Sequence, residues 1–164
     1  MTVLLWDYEM RSLRNSLGRL GPAQRLALAM RVMEWTLESI GRIEVEVVRS
    51  YIENGMQAGR EAVRAGRDKI SLPEEVLDAY VEVDDEAYEP GASHMLSALL
   101  ACSDAPEGLT PEVLYGVLSF CYEGLLEREG MPVWNIEEER RNAKCREVIA
   151  FQKSCIAEAL GARG

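Results

Sequence analysis

Residues 92–103 are apolar on almost every side. Met95, Leu96, Ala98, Leu99, Leu100, Ala101 and Cys102 leave only a few polar positions in the stretch. A helix of that composition is buried on most of its surface, so it acts as a core rod for amphipathic helices to pack on. The rest of the 164-residue sequence supplies such helices.

Val3, Trp6, Met10, Leu13 and Leu17 recur at alternating spacings of three and four, which is one stripe of an amphipathic first helix. Gly18 and Gly21 close it. Pro22 then opens a second helix, because a first-turn proline lacks only an N–H that would have had no partner. Leu26, Met30, Met33, Leu37 and Ile40 line one face of this helix, and Trp35 lies off it, so the helix meets two neighbours. Gly41 marks a break. Ile43 to Val48 alternates like a strand, but no partner strand exists elsewhere to satisfy its backbone, and Ile40, Val47, Val48, Tyr51 and Ile52 continue a helical face. A third helix is therefore expected over residues 43–66, lined on one side by Gly55, Gly59 and Ala62, with Asn54-Gly55 as its weak point.

Ser71-Leu72-Pro73-Glu74 has the form of a capping box, opening a fourth helix to about Val83 that buries Val76, Leu77, Tyr80 and Val81. Residues 84–91 read as a loop from their charge, proline and glycine. After the core rod, Thr110 is an N-cap and Pro111 a first-turn proline for a sixth helix that buries Val113, Leu114, Val117, Leu118, Cys121, Tyr122 and Leu125. Gly130-Met131-Pro132 ends it. Asn135 caps a seventh, whose inner stripe runs from Cys145 through Val148, Ile149, Gln152, Cys155, Ile156 and Ala159 to Leu160. The expected fold is all-α: a single-domain bundle of about seven helices over residues 1–164, without internal repeats or linkers.

The charge is unevenly placed. Residues 70–127 hold thirteen Asp and Glu and no Lys or Arg; residues 1–69 hold eleven Lys/Arg against nine acids, and residues 128–164 seven against six. The local balances of +2, −13 and +1 sum to the net −10. That balance argues against nucleic acid as a partner, because phosphate contact needs clustered basic side chains. No run approaches the length of a membrane span, and the N-terminus has no basic leader region, so a cytoplasmic location is expected.

Chemistry-bearing patterns are sparse. Cys102, Cys121, Cys145 and Cys155 form no Cys-x-x-Cys pair and fall within apolar helical patterns, where cysteine acts as a small hydrophobe. The one histidine, His94, has no glutamate three residues before it, which removes a di-iron carboxylate bundle. It also lies two helical turns from Cys102, too far for a nucleophile–base pair. His94 is expected to serve as a structural cap beside the acidic loop. Phosphate-binding glycine loops are absent. No catalytic residue, metal ligand or cofactor is expected, and the chain reads as non-enzymatic.

What remains is the acidic block. Asp78, Glu82, Asp84, Asp85, Glu86 and Glu89, interleaved with Tyr80 and Tyr88, have the makings of a docking surface for a basic protein. Carboxylates steer such a partner and aromatics anchor it. The bland alternative is a solvated face that keeps the protein soluble.

The size, the acidity and three stretches resemble small all-helical immunity proteins of bacterial polymorphic-toxin systems. Those stretches are Tyr88-Glu89-Pro90-Gly91-Ala92-Ser93-His94-Met95-Leu96-Ser97-Ala98-Leu99-Leu100-Ala101-Cys102, the sixth helix, and Cys145-Arg146-Glu147-Val148-Ile149-Ala150-Phe151-Gln152. The resemblance implies tight, stoichiometric inhibition of a cognate toxin and supplies no catalytic residue; with the acidic block, the expected partner is a basic toxin enzyme. A second expectation is a scaffold protein that self-associates as a homodimer through its first and seventh helices, with Val3-Leu4-Leu5-Trp6 as the contact.

Overall fold

The computed structural model describes residues 4–161, and no strand occurs among them. The chain runs through α1 (Leu5–Met10), a 3-10 segment (Arg11–Arg19), α2 (Pro22–Ile40), α3 (Glu46–Arg64), α4 (Glu74–Asp78) and α5 (Tyr80–Asp85). It continues through α6 (Ala92–Ser103), α7 (Pro111–Glu129), α8 (Ile136–Arg141) and α9 (Ala143–Gly161).

The apolar rod is where its composition puts it. Met95, Leu96, Ala98, Leu99 and Cys102 of α6 are all buried, and the helix packs on α7, α2 and α3. α7 is its main companion and also carries α2, α9 and the 3-10 segment. The small residues of α3 set its distance from α6: a Cβ at Gly55 would stand 3.1 Å from Leu99 Cδ1, and one at Gly59 would overlap the end of Met30. α3 stays unbroken through Asn54-Gly55, because this packing offsets the low helix propensity of glycine.

Buried polar contacts tie α1 to the bundle. The Trp6 indole donates to Gln152 Oε1 at 2.7 Å, and Gln152 Nε2 donates to the Leu118 carbonyl at 3.0 Å. Beside them, Glu139 Oε1 accepts from the Tyr122 hydroxyl at 2.6 Å and from the Leu5 amide at 3.2 Å. Burial pushes the Tyr122 hydroxyl up from its ordinary value, and the Glu139 contact adds to this. On the other side of the fold, the buried Arg25 guanidinium donates to the carbonyls of Leu17, Leu20 and Leu109. Those contacts pin the end of the 3-10 segment to the start of α7, since an unmatched buried carbonyl would cost about 1–3 kcal/mol.

Several boundaries differ from the sequence expectation, each for a physical reason. The first helix turns 3-10 from Arg11, where Ser12, Asn15, Ser16 and Gly18 are weak α-formers. Residues 41–45 are neither helix nor strand, and α3 begins only at Glu46. Ser71 does not cap the fourth helix. Pro73 disfavours a helical conformation at Leu72, so the N-cap is Pro73 itself, with no side-chain bond. That helix is also divided into α4 and α5, which moves Asp84 and Asp85 from the expected loop into α5. The seventh helix is interrupted at Asn142, whose side chain accepts from the Cys145 amide and starts α9. Thr110 and Asn135 cap as expected, accepting from the Val113 and Glu138 amides.

Gly91, the N-cap of α6, has φ 87°, and a Cβ there would sit 2.7 Å from the Gly124 carbonyl oxygen of α7. A left-handed backbone at a non-glycine residue costs about 1–3 kcal/mol before any overlap is counted. Gly91→Ala is therefore expected to destabilise the fold by at least about 2 kcal/mol in urea denaturation.

Candidate docking face on α4 and α5

α4 and α5 are short, and their packing is one-sided. Val83 is the only residue of the pair that is buried, and Tyr80 and Tyr51 meet edge to face with ring centres 6.3 Å apart. The Tyr80 hydroxyl lies 3.3 Å from Ser97 Oγ, and the Tyr51 hydroxyl donates to the Val76 carbonyl at 2.9 Å. Burial pushes the Tyr51 hydroxyl up, so it remains a donor. These contacts fix one face of the pair on α3 and α6. The opposite face carries the acids.

The eight residues expected to form the docking surface divide into two groups. Asp78, Glu82, Asp85, Glu86 and Tyr88 are exposed, Tyr88 at 76%. Tyr80, Asp84 and Glu89 are partly buried and serve the fold. Tyr80 packs as described, and Asp84 accepts from Ser93 Oγ at 2.7 Å. Val81, expected in the core, is instead 67% exposed and adds apolar area beside the carboxylates. The break at Ala79 turns it outward, because α4 and α5 do not share one continuous stripe. None of the acids from Glu74 to Glu86 forms an ion pair among the described residues.

Glu89 caps the start of α3. Its two carboxylate oxygens accept from the Glu44 amide at 2.9 Å and the Val45 amide at 3.0 Å. These bonds hold its carboxyl below the ordinary Glu range, with help from the nearby Arg128 and Arg49. Arg128 grips the other side of the same corner, donating to the carbonyls of Ile40, Pro90 and Arg42 at 3.1, 3.2 and 3.1 Å. Sequence reasoning missed this pair, which joins the end of α2, the start of α3 and the turn before α6. The only local hint was an acid and a base flanking glycines.

His94 turns toward α7 rather than the acidic loop. Its Nε2 lies 3.7 Å from Glu123 and its Nδ1 3.5 Å from Glu127. Desolvation pushes the Glu123 carboxyl up, and His94 partly opposes this. Cys102 and Cys121 are fully buried, which pushes each thiol up to about 12 and keeps it protonated. All four cysteines are free and buried. No cluster of three or more His, Cys, Asp or Glu side chains suited to a metal ion occurs among the described residues. No helix among them is long and apolar enough to cross a membrane. Leu4, Leu5 and Trp6, expected as a self-association contact, are buried within the chain itself, and Val3 lies outside the described residues. Trp134 is partly buried and donates to the Met131 carbonyl.

A cleft of about 500 Å³ opens between α2 and α3, with Leu37, Ile43, Ile52 and Met56 in its wall and the Arg60–Glu34 ion pair on its edge. No family model, curated protein or solved structure matches the chain.

The Glu89 cap carries a signed pH dependence. Because its folded value lies below the ordinary 4.5, its contribution is fully present above that pH and is lost as pH falls through the lowered value. Glu89→Gln is expected to lower stability by about 1 kcal/mol at neutral pH. The difference from wild type should close on acidification, as followed by urea unfolding at stepped pH. A pH-independent difference would contradict the capping role.

Proposed function

We propose that this chain is a non-enzymatic binding protein, an immunity-type inhibitor whose acidic α4–α5 face covers the basic active site or substrate groove of a toxin enzyme. The observation that carries the reading is the exposed set Asp78, Glu82, Asp85 and Glu86 around Val81 and Tyr88, in a stretch of sequence without Lys or Arg. Unpaired carboxylates there project a negative potential, and the exposed valine and tyrosine supply area that gains by leaving water. An enzyme that binds a phosphate backbone presents the complementary charge, and carboxylates can stand where it expects phosphates. The resemblance to toxin-immunity proteins points the same way.

The test is capture from native lysate at low salt on immobilised wild-type protein and on an Asp85→Lys/Glu86→Lys variant. Wild type should retain one basic protein that elutes as salt rises, and the variant should lose it. With the captured protein purified, charge reversal should slow association roughly tenfold or more at low salt and flatten its salt dependence. Equal capture by both proteins would reject the acidic face as the binding surface.

A further inference from the structure

A second charged surface lies on α1, the 3-10 segment and α8, and it has the opposite sign. Tyr8 is 45% exposed, and two guanidiniums share its ring: Arg11 and Arg140, each 5.2 Å from the ring centre. One turn of 3-10 helix beyond Arg11, Arg14 lies 4.9 Å from the ring centre of Tyr115, which itself packs on Trp6 at 4.8 Å. Residues three apart in a 3-10 helix point the same way, so Arg11 and Arg14 face out together. Arg146 joins them, donating to the Arg140 carbonyl at 2.6 Å.

Arg11, Arg14, Arg140 and Arg146 form no ion pair among the described residues. The neighbouring acids have bonds elsewhere: Glu9 pairs with Lys153, Glu137 and Glu138 share Arg141, and Asp7 and Glu139 keep their charge while accepting from the Leu4 amide and from the Leu5 amide and Tyr122 hydroxyl. Stacking on tyrosine holds a guanidinium in place while leaving its N–H edge open to a carboxylate. Bringing like charges together on one ring is unfavourable unless an anion compensates them.

We propose that this arginine–tyrosine face docks the acidic α4–α5 face of a second copy of the same chain. The two faces of one chain are complementary in charge. One surface offers four guanidiniums outside any ion pair, three of them stacked on two tyrosines, and the other offers Asp78, Glu82, Asp85 and Glu86 with Tyr88 and Val81 exposed between them. Opposed patches of this kind set register and speed encounter. A free polyanion such as nucleic acid fits less well, because the net charge of −10 repels it. The contact joins unlike patches, so copies add head to tail or close in a ring. This inference does not rest on the inhibitor reading; the two occupants would compete for the acidic face.

Two variants and their mixture provide the test, all on exposed side chains. Arg11→Glu/Arg140→Glu removes the basic face, and Glu82→Lys/Asp85→Lys/Glu86→Lys removes the acidic one, with circular dichroism and thermal melts checking that both remain folded. In sedimentation velocity at low salt, the wild-type mass should rise above 18.4 kDa with concentration and return toward it at high salt. Each variant alone should associate at least about tenfold more weakly, and the equimolar mixture should regain association through its one intact pair of faces. A wild-type mass of 18.4 kDa at every concentration would overturn the proposal. So would association lost in only one variant, or a mixture no heavier than its components.

Discussion

The corner gripped by Glu89 and Arg128 decides where the acidic face stands. One carboxylate takes two amides at the start of α3, and one guanidinium takes the carbonyls of Ile40, Arg42 and Pro90. Together they lock the α2–α3 connection against the turn that leads into α6. α4 and α5 hang between α3 and that turn, held by Tyr51, Tyr80, Val83 and the Asp84–Ser93 bond. Some of the acidity is therefore used to build the frame, and the remainder projects from it.

The centre of the bundle follows a different logic. α6 and α7 meet closely at Gly91 and Gly124, with little room for added atoms. Around them the core is mostly apolar, apart from the Trp6–Gln152–Leu118 chain, the Glu139–Tyr122–Leu5 contact, the Arg25 guanidinium and the Thr36 hydroxyl on the Val32 carbonyl. Polar bonds inside such a core cost much if left unmade, so they select one arrangement of α1 against α7, α8 and α9. The arginine–tyrosine face is built on that same α1 and α8, and its geometry depends on those buried bonds.

Features governed by neighbours in sequence could be read before the structure. Thr110, Asn135, Gly41 and Gly130 act through bonds or backbone angles within a few residues, and each ends or begins a helix as its type implies. Ser71 failed because Pro73 overrides it locally, which the sequence did contain. The start of α3 could not be read, because its cap comes from Glu89, more than forty residues on. The site divides in the same way. The segregation of charge was plain from composition, but which carboxylates are consumed internally depends on partners brought in by folding. Val81 was misplaced because two short helices do not keep one stripe. The tyrosine-held arginines went unseen because Arg140 reaches Tyr8 only through the meeting of α1 and α8.

The lack of basic residues between Lys69 and Arg128 has a practical side. Trypsin finds no bond to cleave there, so α4 to α7 emerge as a single long peptide from Ile70 to Arg128. The chain's lysines are Lys69, Lys144 and Lys153, all outside α4 and α5. Amine-directed labels, cross-linkers and supports therefore attach away from the acidic face and leave it open. Carboxylate-directed reagents do reach it, since thirteen of the 28 acids lie between Ile70 and Glu127.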